Sequence, residues 1–239
     1  MNAAVLFHRI EQDIPLSLAI SGDKNGYIGM EDPNQLDVQK ILVLMDYIPS
    51  EKEKIDYMQY DLLILHHPPL LDPIIPAYII HSNWDVVRGG ACDALADALH
   101  MLPLEILDET TGIGRIGKLS EENVTQGRFL HEIIATLKTR DIRMVNYNKF
   151  QIVDTVCVIS GFGLSSDNIV KAVQKGVDVV VSGDLTYQSA LIARNTGITL
   201  IDATHYATEL PGLYRLGERL RSLGLEVCVR NIGQPWVGV

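Results

Sequence analysis

Sulfur chemistry has little to build on in this chain. Its 239 residues include three cysteines, Cys92, Cys157 and Cys228, odd in number and far apart. None forms a CxxC, so neither a disulfide framework nor a thiolate zinc site is expected, and buried thiols in a reducing cytoplasm are the simpler reading. Cationic side chains are also short: 20 Lys and Arg face 30 Asp and Glu, a formal net charge of -10. That balance works against sequence-independent nucleic-acid binding, which depends on basic groups displacing phosphate counterions. No apolar run approaches the roughly 20 residues of a membrane span. Met1 to Arg9 lacks the basic-then-apolar layout of a secretion signal and reads as an amphipathic helix of the folded domain, so a cytoplasmic location with no membrane partner is expected. With 47% hydrophobic and 21% charged residues, what remains is a globular chain able to bury a substantial core.

What the chain does have is histidine at strand ends. The run Asp61-Leu-Leu-Ile-Leu-His-His-Pro-Pro69 sets His66 and His67 where a buried strand meets two prolines. Neighbouring side chains on a strand point to opposite faces, so both imidazoles reach one centre only if the strand has ended, and Pro68-Pro69 ends it. The bland alternative is a capped or surface pair. Further on, Asp202-Ala-Thr-His-Tyr-Ala-Thr-Glu209 places His205 and Glu209 four apart, on one face of a helix.

The organisation is α/β. Strand-like runs recur at Lys40 to Asp46, Asp61 to Leu65, Ala77 to Ile80, Ile152 to Ser160, Val177 to Val181 and Ile198 to Ile201. Several are apolar almost throughout, as in parallel strands covered on both faces. Helices are expected from the capping box Ser50-Glu-Lys-Glu53 towards Gln59, over Ala91 to Met101, from Ser166 to Gly176, from Thr186 to Gly197, and from His205 on, with a kink at Pro211. The Gly/Thr-rich stretch Glu109 to Gly117 is either a boundary or a packed crossover, giving two lobes of one unit, about 1–110 and 111–239.

Strand ends in α/β sheets collect functional groups. Asp46 follows the first strand. Asp85, in His81-Ser-Asn-Trp-Asp85, follows the third and is either a ligand or a turn-former ahead of Gly89-Gly90. Those glycines either lend backbone amides to an anion or make a tight turn. Asp184 in Ser182-Gly-Asp184 opens a helix and reads equally well as its N-cap. Together these groups offer imidazole nitrogens and carboxylate oxygens without thiolate, a set suited to zinc, iron, manganese or nickel. Three histidines and two carboxylates suffice for two divalent ions, and a water or hydroxide shared between them would be a nucleophile near neutral pH.

The segments Leu65-His-His-Pro68, His81-Ser-Asn-Trp-Asp85 with Gly89-Gly90 and Asp93-Ala-Leu-Ala96, Gly112-Ile-Gly-Arg-Ile-Gly117, and Ser182-Gly-Asp184 with Asp202 to Glu209 resemble, in this order, the NIF-three-like family. Its members are also called GTP cyclohydrolase I type 2 homologues. The resemblance runs from about Leu18 to Leu213. It implies a three-layer α/β/α fold of two related lobes with a dinuclear metal site between them, ligated by His66, His67, Asp85, His205 and Glu209. It also implies a toroidal homohexamer built as a trimer of dimers. The short connection from Arg115 to Lys149 matches the form of the family without an inserted domain. Two features depart from the pattern: Ser21-Gly-Asp-Lys-Asn-Gly26 stands where many relatives have Trp-Asp-Asn-x-Gly-Leu, and Tyr187-Gln188 stands where histidines often follow the Gly-Asp motif.

Two functions are then in play. One is a metal-dependent hydrolase acting on a small molecule such as a nucleotide, cyclic phosphate or purine-type ring, with His81 or Asp184 near the proton transfers. The other is a non-enzymatic toroidal metal-binding adaptor or scaffold for a protein partner, with a nucleic-acid-engaging version that the acidic balance disfavours. No phosphate-binding loop of the Walker type is present to favour the first.

Overall fold

The computed structural model describes residues 1–50 and 55–236, with only the backbone of Pro103 and Leu104. Among these residues it holds seven α-helices and eleven strands in two sheets. The contacts divide the chain into two compact units, residues 1–87 with 213–233, and residues 88–212 with 234–239. The division does not follow a break near residue 110. The last strand, Glu226–Val229, pairs in parallel with Lys40–Leu44 and returns residues 213–233 to the first unit, while the helix Ala91–Ala98 packs in the second. The helix His205–Ser222 runs on through Pro211 and carries the division between Gly212 and Leu213.

The first unit is a five-stranded sheet. Its strands are β1 (Gly26–Ile28), β2 (Lys40–Leu44), β3 (Leu62–Leu65), β4 (Ala77–Ile79) and the C-terminal Glu226–Val229, ordered β1-β4-β3-β2-C-terminal strand. All pairs are parallel except β1 with β4. Every residue of β3 is fully buried, which is why the run lacks the polar alternation of a half-exposed strand. Leu42, Leu44, Leu63 and Leu65 form one core with Tyr47, Tyr57 and Tyr60. The N-terminal helix Ala3–Asp13 forms as expected, capped by the Asn2 side chain, and buries Leu6, Phe7 and Ile10. The capping box at Ser50 runs into residues outside the described ones; of the stretch it was expected to open, Tyr57–Gln59 is a 3-10 turn.

The second unit shows its layering through a period of two. Its sheet orders β5 (Met101–Ile106), β6 (Arg115–Leu119), β8 (Val156–Phe162), β9 (Val179–Gly183), β10 (Thr199–Asp202) and β7 (Arg143–Val145), with β8, β9 and β10 parallel at the centre. Val156 and Val158 face one core, with Val179, Val181 and Ile201. Cys157 and Ile159 face the other, with Val180 and Leu200. The first core is covered by Leu95 and Leu99 and by Phe129 and Ile133 of the helix Gln126–Leu137; the second by Ile169, Ala172 and Ala193 of the helices Ser166–Gln174 and Tyr187–Thr196. This unit is therefore a helix/sheet/helix sandwich, and its central strands read as unbroken apolar runs because both faces are covered.

Several expectations are corrected. The helix over Ala91 to Met101 ends at Ala98, because His100 takes a left-handed φ of 55° and turns the chain into β5. The stretch Glu109 to Gly117 is no boundary: Arg115 to Gly117 belong to β6, and the fully buried Arg115 guanidinium donates to Asp93 and to the carbonyls of Gly112 and Gly114. Asp93 also accepts from the Gly89 amide, so that turn is satisfied by the chain's own carboxylate.

Candidate metal centre

In the first unit, β3 hands the chain directly to His66 and His67. Their amides donate to the carbonyls of Leu44 and Met45, which holds both residues in the register of the sheet as the strand ends. His81 follows β4 in the same way, since the Ile80 amide bonds to the Leu65 carbonyl. The three rings form a compact cluster: centroids lie 4.9 Å apart for His66 and His67, 5.2 Å for His66 and His81, and 5.4 Å for His67 and His81. One nitrogen from each lies within 4.8 Å of the others, a grouping able to hold a metal ion. Asp85, buried on the short helix Ser82–Val86, sets Oδ1 3.7 Å from His66 Nε2.

The hydrogen bonds to the rings are what give this cluster chemical direction. His66 Nδ1 bonds to the Ile80 carbonyl at 2.9 Å, His67 Nδ1 to Asp46 Oδ1 at 2.8 Å and His81 Nδ1 to Asp23 Oδ1 at 2.8 Å. A carbonyl or an ionised carboxylate has no proton to give, so each Nδ1 carries the hydrogen and Nε2 carries the lone pair. Metal-binding histidines are commonly oriented this way, by an acceptor on the far nitrogen. Asp23 also accepts from Ser82 and Asn25; burial opposes its charge, but the bonds from Ser82, His81 and Asn25 prevail and hold its pKa down at about 2. Burial lowers the pKa of His81, helped by the neighbouring His66 and opposed by Asp23, which favours a neutral, ligand-competent ring.

In the second unit, His205 and Glu209 open the helix His205–Ser222, and the four-residue spacing puts His205 Nε2 2.9 Å from Glu209 Oε1. Asp184 Oδ2 takes His205 Nδ1 at 2.6 Å. Asp184 is not the cap of the following helix; Thr186 is, in a capping box with Ser189, which leaves the aspartate to hold the imidazole. Burial alone would depress the His205 pKa, yet the bonds to Asp184 and Glu209 overcome it and raise it to about 10. The two acceptors thus favour a positive charge at this point, whether a proton or a metal ion supplies it.

The backbone around this pair is unusual. Asp184 has a φ of 61° and Thr204 of 73°, left-handed values that are a genuine outlier for a β-branched residue. Gly161, at φ +70°, lies against the pair: a Cβ there would overlap Glu209 Oε1 and come within 3.2 Å of His205 Nε2. Such strain concentrates at functional sites.

Sequence reasoning singled out His66, His67, His81 and Asp85, which the first unit gathers, and Asp184, His205 and Glu209, which the second gathers. It missed the role of Asp23 and Gly161. Asp23 lies in the segment Ser21 to Gly26 that departs from the family pattern, and its distance of 58 residues from His81 left no local signal. Asp46 was seen at a strand end, but not its bond to His67.

The family described as Duf34/NIF3 (NGG1p interacting factor 3) matches residues 74–235. A protein named GTP cyclohydrolase 1 type 2 homolog from Methanothermobacter thermautotrophicus is 44% identical over 234 residues, spanning 97% of this chain and 93% of its own. One of the same name from Methanocaldococcus jannaschii is 33% identical, spanning 95% and 98%. Among solved structures, reduced HcgD from Methanocaldococcus jannaschii is similar with a TM-score of 0.81 at 30% identity, over 96% of this chain and 97% of that one. A Bacillus cereus protein related to NIF3 shares the fold, with a TM-score of 0.83 at 20% identity over 100% and 99%.

Proposed function

The chain belongs to the Duf34/NIF3 family, and from that premise we propose that it is a dinuclear metal-dependent hydrolase of small molecules, with His66, His67, Asp85, His205 and Glu209 as its metal ligands. The observation that carries the reading is the shared arrangement of four histidines, each bonded through Nδ1 to an acceptor that has no proton to give. A purely structural histidine has no need of that uniformity. The donor set of imidazole nitrogens and carboxylate oxygens suits zinc, iron, manganese or nickel, and the missing Cβ at Gly161 leaves room for Glu209 beside His205. When bound, two such ions would supply the Lewis acidity that lowers the pKa of a water towards neutrality.

The chain's own residues have separable tasks. Asp46, Asp184 and the Ile80 carbonyl orient His67, His205 and His66. His81, kept neutral by burial and held by Asp23, stands beside His66 and His67 where it can accept a proton at Nε2. The same reading takes the protein to assemble as a homohexamer, so light scattering should give about six times the 26.5 kDa chain mass.

Metal analysis after metal-replete purification is the first test, with about two equivalents per chain expected. A hydrolytic screen over phosphate esters, nucleotides and cyclic amides, run beside Glu209→Gln, is the second. Turnover that Glu209→Gln abolishes supports the hydrolase. Metal loading without turnover across the screen sinks it in favour of a metal-binding scaffold, and absence of metal sinks both.

A further inference from the structure

The second unit has a cavity of about 670 Å³ lined by Arg140, Arg143, Asp184, Asp202, His205 and Trp236, among others. It opens at the same His205 that the functional reading invokes, and its volume is that of a small-molecule site. Its charges are unequally occupied. Asp202, 2% exposed, accepts from Nε and Nη2 of Arg143 and from the amides of Leu185 and Thr204, so its carboxylate is fully engaged. Asp184 holds His205, and Asp141 accepts from Gln234. Arg140, on the same wall, is exposed, and its side chain makes no hydrogen bond or ion pair with any described residue. Arg143 is pinned along one edge by a buried carboxylate, which orients the Nη1 edge of a guanidinium whose side chain is 62% exposed. Two guanidiniums, one pre-positioned and one unengaged, are suited to bidentate capture of a phosphate or carboxylate. Trp236, 54% exposed, adds a flat apolar face to the same wall.

We propose that this cavity binds a planar aromatic molecule carrying one anionic group, with the anion on Arg140 and Arg143 and the ring against Trp236. The inference deepens the functional reading by naming the class of molecule delivered to His205, and it rests on that reading only for what happens after binding.

The test uses the full chain stripped of metal. Trp236 and the buried Trp84 are its two tryptophans, so ring stacking is reported by fluorescence, with calorimetry alongside. Adenosine 5′-monophosphate serves as the phosphate probe and benzoate as the carboxylate probe; adenosine and ribose 5-phosphate each carry half of the recognition. At least one anionic aromatic probe should bind with a Kd below about 1 mM, and both half-probes about tenfold or more weaker than the monophosphate if phosphate is the group read. Arg140→Ala should weaken binding about tenfold, and Trp236→Leu should remove the quenching, with circular dichroism unchanged. No binding of either anionic probe, or binding that neither variant alters, overturns the proposal. Metal content, measured separately on His66→Ala, decides the functional reading, because loss of metal there with probe binding intact separates the two.

Discussion

The two units hold their histidines by opposite means. In the first, three imidazoles come from two strand ends, and two of them are oriented by carboxylates distant in sequence, Asp46 for His67 and Asp23 for His81. In the second, His205 and Glu209 are neighbours on one helical face, and the cost lies in the backbone, with left-handed Asp184 and Thr204 and a glycine where no side chain fits. A sheet edge gathers ligands by register; a helix gathers them by spacing and needs a strained entry to aim them.

The largest break in that comparison should come from His66→Ala. His66 is 2% exposed and touches both other rings of its cluster, so bound metal measured by plasma mass spectrometry should fall by at least about half. Metal content equal to that of the unaltered chain would remove His66 from the proposed ligands. Gly161→Ala is the corresponding break in the second unit. A left-handed alanine costs about 1–2 kcal/mol before its overlap with Glu209 is counted, so the melting temperature should drop by about 5 °C and metal affinity should fall with it. An unchanged melting curve would mean that Glu209 is not seated as described.

Removing the orienting acceptors sharpens the contrast further. Asp46→Asn and Asp184→Asn each keep size while weakening the acceptor, and metal affinity should fall about 10- to 100-fold without loss of the ligands themselves. Competition with a chelator of known affinity would measure this, and equal affinity in either variant would make that carboxylate a bystander.

The smallest effect concerns acid stability. Asp23 and Asp108 are both held at about 2, from an ordinary 3.8, for different reasons: Asp23 by Ser82, His81 and Asn25 against the opposing effect of burial, Asp108 first by the hydrogen bond from Lys171. The folded state prefers the ionised form in both cases. Their stabilisation is therefore fully present above 3.8 and disappears as the pH falls through about 2. Denaturation midpoints between pH 5 and pH 2 should decline less steeply in Asp108→Asn and in Asp23→Asn. Salt should diminish the Asp108 contribution, because its Lys171 partner is partly solvent-exposed, and leave that of Asp23 nearly unchanged. Parallel salt responses would contradict the difference in cause.

Much of the fold was legible because burial on both faces writes a strand as an unbroken apolar run, as at Leu62–Leu65 and Val179–Val181. The short edge strands Gly26–Ile28 and Arg143–Val145 were not, since each is three residues long and takes its conformation from a partner rather than from its own pattern. Arg115–Leu119 hid behind its glycines and a fully buried arginine, and the helix Gln126–Leu137 lay in a connection read only for its length.

The sequence by itself determined the chemistry on offer at the candidate site: histidine and carboxylate at strand ends, a His/Glu pair at helical spacing, no thiolate. These are local facts, carried by residue type and period. Tertiary structure alone decided which nitrogen of His66, His67 and His81 carries the proton, which compact unit residues 213–233 join, and that Asp184 holds His205 instead of capping a helix. Each of those depends on a contact between segments far apart in the chain, and such contacts leave no mark on local periodicity.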